Sequence, residues 1–348
     1  MNYFDNISDF CKAYFPVLLA GEEMPEFIQE YVNTPEMLKQ NEIGVRSGVN
    51  YSKIGECDWY SSLDHSIAVA LVVWHFTHDK VQTLAGLFHD IATPAFKHSI
   101  DFMNGDYENQ ESTEEFTTKI IRDSKEIMAL LNRDGIKLEE VDDYHLYPSA
   151  DNDTPRLAAD RLEYTLSIGL GAFKRVWNLE DVKEVYRNIV VLENEDGLPE
   201  VGFTDLAVAE KFVRAMRQLS IGYMNADTKF CMQFVADTMR KMSEKGLVTV
   251  KDLYTSTEAE IIEKIENCKE GNIARDFKHW READTVYESD EPVDGKICMN
   301  IERAKTRYIN PLVKTDNGIK RIKDISKIAE EEIQKALNYK TKKYGYIA

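Results

Sequence analysis

The sequence lacks the features that mark secreted and disulfide-bonded proteins. It contains five cysteines in 348 residues, and no two of them are spaced as CxxC. An odd number of scattered cysteines argues against a disulfide framework and against a zinc knuckle, and it favours a reducing, cytoplasmic compartment. The N-terminus has neither the basic start nor the apolar core of a signal peptide.

Long hydrophobic runs and basic runs are missing too. The longest apolar stretch covers residues 67–74, whereas a membrane-spanning helix needs about 20 apolar residues, so no membrane partner is expected. Asp and Glu number 61 against 43 Lys and Arg, which gives a net charge of −18. Because nucleic-acid binding depends on Lys and Arg that neutralise phosphates, a broad nucleic-acid surface is not expected. A small phosphorylated substrate stays compatible if a metal ion or a few local cations offset its charge.

Most of the chain has a helical pattern. Residues 67–74 are apolar on every side of a helix, which is typical of a buried helix and places His65, at its start, inside the protein. Another helix is predicted to start at Thr154-Pro155, because an N-cap threonine followed by proline is a common helix start. The other predicted helices cover residues 81–92, 206–245, 257–267 and 323–338.

One β-hairpin interrupts this pattern. A β-branched run at residues 188–192 and a second short run at residues 201–203 flank an Asp-Gly turn. Residues 284–300 are predicted to form a loop. We therefore expect an all-α fold with one small β-hairpin, divided into a domain of residues 1–245 and a smaller, mostly helical C-terminal region of residues 246–348.

Three predicted helices each carry a polar residue at a core-facing position. His65, the pair His89-Asp90 and Asp160 all stand in largely apolar surroundings. A buried carboxylate is costly unless it is paired or binds a metal, and imidazole with carboxylate is a ligand set that suits Fe, Mn, Ni, Zn or Mg. The four residues therefore form a candidate metal site. The alternative is that each His is a hydrogen-bonded core residue and that Asp160 forms a surface ion pair with Arg161.

The order of these residues resembles the H…HD…D signature of the HD superfamily of metal-dependent phosphohydrolases. The EHS segment of that superfamily is similar to residues 64–66 (DHS). Its deoxynucleoside triphosphate triphosphohydrolase branch has three further segments, HDIGHxPFxH, DRLDY and TPEFQRL. They are similar, in that order, to residues 89–98 (HDIATPAFKH), 160–164 (DRLEY) and 33–38 (NTPEML). The resemblance covers residues 30–240.

This resemblance implies an all-helical HD domain in which His65, His89, Asp90 and Asp160 hold a divalent metal ion (Mn, Fe, Ni, Mg or Zn). It implies a hydrolase that uses a metal-activated water to cleave a nucleotide or another small phosphorylated metabolite. It also implies a homo-oligomer.

The sequence departs from the triphosphohydrolase branch at four positions. Thr93 stands where the branch has a second His, Glu108 replaces the His of its HEQ motif, Ser62 replaces an Arg, and Ile168 replaces a ribose-contacting Asp. Asp101 is retained. Because much of the triphosphate and sugar apparatus is missing, we expect a smaller phosphoester, such as a nucleoside monophosphate, to be preferred.

Cleavage of a phosphate ester also needs a titratable group that transfers a proton. We expect Asp101 or Glu108 to do this with the help of His98, although Glu108 stands in an acidic stretch that is typical of a solvated surface. Lys97 and Arg161 are the candidate cations for the phosphate, unless Lys97 faces water.

Two other functions stay open at this point. One is a non-catalytic nucleotide-binding protein that retains the metal. The other is a dinuclear HD-type phosphodiesterase or oxygenase, whose second metal would have to use His98 and His145.

Overall fold

The computed structural model of the protein describes residues 2–110, 116–172 and 176–348. Its α-helices are α1 (Asp9–Leu18), α2 (Glu26–Val32), α3 (Pro35–Lys39), α4 (Ser62–Thr77), α5 (Lys80–Phe88), α6 (His98–Asn104), α7 (Thr117–Asp123), α8 (Lys125–Asp134), α9 (Ala159–Ser167), α10 (Leu179–Arg187), α11 (Leu206–Met224), α12 (Ala226–Glu244), α13 (Val250–Thr255), α14 (Glu258–Glu266), α15 (Ile273–Glu282), α16 (Ile322–Ile325) and α17 (Lys327–Leu337). Its strands are β1 (Ile189–Glu193), β2 (Pro199–Phe203), β3 (Tyr287–Ser289), β4 (Ile297–Asn300), β5 (Leu312–Thr315), β6 (Gly318–Arg321) and β7 (Tyr344–Ile347).

Helix α4 lies at the centre of the larger hydrophobic core. It starts with a capping box, in which the Ser61 side chain accepts from the Asp64 backbone and the Asp64 side chain accepts from the Ser61 backbone. All of its residues from Ser62 to Val73 are buried, so the prediction of a buried helix that carries His65 inward is confirmed. Helices α1, α5 and α9 pack around it.

Helix α5 packs tightly against α4 because of a glycine. A Cβ atom at Gly86 would lie 3.2 Å from Cγ2 of Val73, so a larger residue would push the two helices apart. Helix α5 ends at Phe88, four residues earlier than predicted, and residues 89–97 continue as turns. Helix α9 starts at Ala159 and not at Thr154-Pro155, and a π-helical turn, Ile168–Ala172, extends it.

The expectation of an all-α fold with one hairpin is wrong. The chain is mixed, with a four-stranded sheet in the order β1-β2-β5-β6 and a three-stranded sheet in the order β3-β7-β4. The predicted hairpin exists as the antiparallel pair β1–β2, but β5 adds to it in parallel. Strands β3 and β4 occupy part of the stretch that was predicted to be a loop.

There are physical reasons why these extra strands were not predicted from the sequence. Each contains only three or four residues, too few to show the alternation of apolar and polar positions that identifies a strand. Apart from the β5–β6 pair, their partners are also distant in sequence: Gly202 pairs with Leu312, and Tyr287 pairs with Tyr346. Pairing between distant segments depends on the tertiary fold and leaves no local signal. The β5–β6 hairpin is local, and its Asn317-Gly318 turn was an available signal.

The C-terminal region packs closely on the rest of the chain. Helix α17 packs against α11, strands β4 and β7 pack against α12, and the Trp280 ring stacks on that of Phe234 with centroids 5.0 Å apart. Its helices α14, α16 and α17 lie where helices were predicted. The division into two domains near residue 246 stays a prediction. No helix in the described part of the chain is long and apolar enough to cross a membrane.

Candidate metal centre

Three elements bring His65, His89 and Asp160 together. His65 lies in the first turns of α4, His89 caps the C-terminus of α5, and Asp160 lies in the first turn of α9. The His65 Nε2 atom is 3.0 Å from Asp160 Oδ1 and 3.2 Å from His89 Nε2. One ligand atom from each residue lies within 4.8 Å of the other two, so this cluster could hold a metal ion.

Hydrogen bonds on the far side of each ring aim both imidazoles into the cluster. The Nδ1 atom of His89 donates to the backbone oxygen of Gly86 at 2.7 Å, and Nδ1 of His65 is in close contact with Glu163 Oε2. With Nδ1 occupied in this way, each ring turns Nε2 toward Asp160. A carboxylate or carbonyl behind the ring is the usual arrangement around metal-binding histidines.

Glu163 was not identified as a site residue from the sequence. It is fully buried, and its other oxygen accepts a hydrogen bond from Tyr60 at 2.8 Å. It follows Asp160 by three residues, which places both carboxylates on the same side of α9. That spacing, in a helix with an apolar side, was the available signal.

The electrostatics of the cluster favour a bound cation. Burial lowers the pKa of His65, but the carboxylates of Glu163 and Asp160 outweigh it and raise this pKa to about 10. Burial raises the pKa of Asp160, but its hydrogen bond with His65 dominates and holds this pKa well below the usual range. Two nitrogen donors and a carboxylate in a negative environment suit a divalent transition metal.

Asp90, the fourth predicted ligand, borders the cluster. Its Oδ2 atom is 3.9 Å from His65 Nε2 and 3.7 Å from His89 Nε2, and it accepts from the Lys97 ammonium at 2.5 Å. Burial raises the pKa of Asp90, but Lys97 and the two histidines hold it well below the usual range. Its role as a ligand stays a prediction.

Lys97 reaches Asp90 from an unusual turn. Phe96 and Lys97 both have positive φ angles, 67° and 39°, which non-glycine residues seldom adopt. The turn is held from the C-terminal region: the Phe96 N–H donates to Glu258 at 2.9 Å and the Ala95 N–H donates to the Leu253 carbonyl at 2.8 Å. The buried ammonium also lies 3.4 Å from the Ser62 hydroxyl. Lys97 therefore points into the protein and does not face water.

The cluster opens into a cavity of about 250 Å³. Although the chain carries a net charge of −18, five Lys and Arg line this cavity against four Asp when the described residues are counted. The cationic residues are Arg46, Lys97, Arg161, Lys305 and Arg307, and the acidic ones are Asp90, Asp151, Asp153 and Asp160. A bound divalent ion would make the excess positive charge larger, so the cavity suits an anionic ligand.

Arg161 lines the cavity, but its guanidinium holds the neighbouring loop. It bonds to Asp151 Oδ1 at 2.8 Å, to Asn152 Oδ1 at 2.5 Å and to the Arg156 carbonyl at 2.7 Å. Its predicted role as a phosphate-binding cation stays a prediction. The observed contacts fix the loop of residues 151–156 beside Asp160.

The three predicted acid/base residues lie in different environments. His98 lines the cavity, and its Nδ1 atom donates to the fully buried Asp101 at 3.0 Å. Burial, and to a smaller extent Arg307, lowers the pKa of His98 in spite of Asp101. Glu108 is exposed and lies outside the cavity lining, so the structure does not bring it to the candidate site.

The remaining histidines do not form a second group. Across residues 2–110, 116–172 and 176–348, the cluster of His65, His89 and Asp160 is the one group that could hold a metal. His145 is exposed and bonds to Asp143 at 2.9 Å, while His98 faces Asp101. These positions do not support a dinuclear site built on His98 and His145.

Comparison with known proteins shows a shared fold. No family model matches the chain. It is 25% identical to the uncharacterized protein YdhJ of Bacillus subtilis over 282 residues, which is 78% of this chain and 81% of that protein. A hypothetical protein from Aquifex aeolicus has a similar structure, with a TM-score of 0.64 and 15% identity over 93% of this chain and 92% of that one. A phosphohydrolase from Bacteroides thetaiotaomicron has a TM-score of 0.56 and 12% identity over 91% and 93% of the two chains.

Proposed function

We propose that this protein is a metal-dependent phosphohydrolase of the HD type that acts on a nucleotide or another small phosphorylated metabolite. The observation that carries the proposal is the convergence of His65, His89 and Asp160 at the wall of a cavity that Lys and Arg side chains also line. The structural similarity to a protein named a phosphohydrolase supports it.

The residues of the cavity fit the needs of phosphate ester hydrolysis. His65, His89 and Asp160, with Asp90 beside them, would hold a divalent ion. When bound, such an ion lowers the pKa of water and neutralises phosphoryl oxygens. Lys97 adds a fixed positive charge next to the same cluster, and its hydrogen bond to Asp90 keeps the ammonium in place.

His98 is our choice for the group that transfers the proton. Its ring lines the cavity, and the bond from Nδ1 to Asp101 orients the ring so that Nε2 is the atom that exchanges a proton. Asp101, which is fully buried, acts as a positioning residue. The exposed position of Glu108 favours His98 over it.

We expect a monophosphate or a similar small phosphoester to be the preferred substrate. Ile168 lines the cavity where a carboxylate would be needed to contact a ribose, and Ser62 offers no charge for a triphosphate. Each lost charge-assisted contact is worth roughly 1.5–3 kcal/mol. A triphosphate should therefore be hydrolysed with a kcat/KM lower by at least about tenfold.

Elemental analysis followed by a substrate panel tests these points. The purified protein is assayed with mono- and triphosphates while Mn, Fe, Ni, Mg and Zn are supplied in turn. We expect one divalent ion per chain and hydrolysis of monophosphates that Asp160→Asn abolishes and Glu108→Gln leaves intact. Release of intact triphosphate as the fastest reaction would contradict the substrate assignment. Metal binding without turnover of any phosphoester would show a non-catalytic binding protein instead.

A further inference from the structure

Arg307 contributes to the cavity from the far end of the chain. It lies on the segment of residues 301–311, between β4 and β5, and it lines the cavity together with the metal-site residues. Its Nη2 atom donates to Gln110 Oε1 at 2.7 Å and is 3.4 Å from His98 Nε2. The guanidinium carbon lies 5.9 Å from the centre of the Tyr164 ring.

The contacts of Arg307 do not neutralise its charge. Among the residues that the structure describes, no carboxylate lies within ion-pair distance of it, whereas Lys97 pairs with Asp90 and Arg161 pairs with Asp151. Arg keeps its charge at every physiological pH and offers five N–H donors. Within the part of the chain that the structure describes, this charge has no carboxylate counter-ion, and a charge held in a cavity in that way is costly.

Gln110, the partner of Arg307, has a strained backbone. Its φ angle is +58°, and its side chain is buried, so the chain adopts an unfavourable conformation to present the amide oxygen to Arg307. Strain of this kind is concentrated at functional sites. A hydrogen bond of 2.6 Å from Lys305 to the Asn109 carbonyl ties the two segments together at the same place.

The residues that Arg307 contacts, Gln110, His98 and Tyr164, are not members of the metal-site cluster. Lys97 and His98 are neighbours in sequence, but Lys97 points to Asp90 while His98 points to Asp101 and Arg307. Tyr164, over which Arg307 lies, follows Asp160 by one helical turn, a rise of about 6 Å along α9. One cavity thus has two separate places that suit negative charge.

We propose that Arg307, held in place by its hydrogen bond to Gln110, binds a second anionic group of the substrate, a phosphate or a carboxylate. The substrate class is then a phosphoester that carries two separated negative groups. The position of the first group rests on the proposed function, but the anion site at Arg307 does not depend on turnover.

Binding of inorganic phosphate tests the site directly. Phosphate is titrated calorimetrically into chelator-treated wild type and into the variants Arg307→Gln, Arg307→Lys and Arg303→Gln. Arg303 is the matched control, since it is an exposed arginine of the same segment that does not line the cavity. Each variant is first shown to melt cooperatively.

We expect saturable binding by the wild type that Arg307→Gln weakens about tenfold or more, because a charge-assisted contact is lost. Arg307→Lys should lose less affinity for phosphate, and the affinity of Arg303→Gln should stay within about twofold of the wild type. Absence of saturable binding by the wild type, or equal binding by Arg307→Gln, overturns the proposal.

Kinetics with matched substrates then test whether Arg307 binds a second anionic group or the phosphate that is cleaved. The pairs are 3-phosphoglycerate against glycerol 1-phosphate, and adenosine 3′,5′-bisphosphate against adenosine 5′-monophosphate. Because Arg307 also contacts His98, Arg307→Gln can lower kcat/KM for both members of a pair, but the loss for the first member should exceed the loss for the second by about tenfold or more. Equal losses for both members overturn the assignment to a second group. If the wild type hydrolyses neither these compounds nor any phosphoester of the wider panel, the proposed function fails, and the phosphate titration still decides the anion site.

Discussion

Glu163 is the buried carboxylate behind the candidate metal centre. It contacts His65 Nδ1 and accepts a hydrogen bond from Tyr60, so it fixes both the tautomer and the orientation of the His65 ring. An imidazole with this support has its Nε2 lone pair free and is a more basic ligand. A neutral amide at this position would hold the ring less firmly and would remove a negative charge from the cluster.

We predict that Glu163→Gln lowers metal affinity by roughly 10–100-fold, the usual effect of removing a carboxylate behind a metal-binding histidine. The measurement is competition with a chromophoric chelator. Glu200→Gln serves as the control, because Glu200 is an equally buried carboxylate that pairs with Arg321, away from the cluster. An equal affinity in wild type and Glu163→Gln would mean that His65 does not bind the ion.

Asp90 allows a second test at the residue scale. A metal that binds only the folded state stabilises it by roughly 2.7 kcal/mol at a hundred times its dissociation constant. A chelator should therefore lower the melting temperature of the wild type and should have much less effect on Asp90→Ala. Asp153→Ala, an exposed aspartate at the cavity rim, should respond like the wild type. Equal chelator sensitivity in Asp90→Ala would exclude Asp90 as a ligand that stabilises the fold.

At the scale of elements, the first residue of α14 joins two parts of the chain. Glu258 is fully buried and accepts hydrogen bonds from the Phe96 N–H, the Gly44 N–H and the Tyr51 hydroxyl. Through Phe96 it holds the strained turn that carries Lys97 into the site. Burial raises the pKa of Glu258 to about 7, in spite of these hydrogen bonds.

This raised pKa predicts that the stability of the folded chain decreases as pH rises. The ordinary pKa of Glu is 4.5, so between pH 4.5 and about 7 the folded chain keeps a proton on Glu258 that the unfolded chain has lost. Stability then decreases as pH rises, by about 1.4 kcal/mol per pH unit, and the loss is complete above pH 7.

The test compares the free energy of unfolding of the wild type with that of Glu258→Gln. We expect the difference, wild type minus variant, to fall by roughly 3 kcal/mol between pH 4.5 and 7.5. Urea unfolding at several pH values measures it, and groups that titrate alike in both proteins cancel in the difference. A difference that does not change with pH would show that Glu258 is ionised throughout.

Elements with a strong local pattern were predicted correctly from the sequence. Helices α4 and α14 lie where the apolar periodicity placed them, because burial of an apolar surface and local capping agree there. The end of α5 was placed too late, since a helix can continue up to the residues before Pro94, but the chain turns at His89 and brings it into the cluster. Strands β3, β4 and β7 depend on distant partners and could not be found, whereas the local β5–β6 hairpin had a turn signal in Asn317-Gly318 that was missed.

The candidate site also contains residues that have a local sequence signal and residues that only the fold brings together. His65 and Asp160 stand out as polar residues in apolar helices, and the structure brings them within 3.0 Å. Arg307 and Glu258 reach the cavity and its strained turn from the C-terminal third of the chain, and nothing in their local sequence marks them. Residues that act across such separations become visible only in the fold.

At the scale of the whole molecule, the C-terminal region contributes to both core and site. Strand β5 extends the sheet that the hairpin begins, and Arg321 pairs with the fully buried Glu200 at 2.5 Å. Trp280, also fully buried, stacks on Phe234 of α12. Losing the partner of a buried charge typically costs about 3–5 kcal/mol, which is a large part of the stability of an ordinary domain.

We therefore predict that residues 1–245 do not fold cooperatively on their own. Without the rest of the chain, Glu200 would be a buried carboxylate without Arg321, and Phe234 would lose the ring that covers it. The fragment should bind a hydrophobic dye and melt without a sharp transition, whereas coexpression with residues 246–348 should restore the cooperative melt of the intact chain. A shorter deletion that removes only residues 340–348 is the control for the effect of truncation at β7 alone. A sharp melt of the isolated fragment would instead establish two independent domains, with a boundary near residue 246.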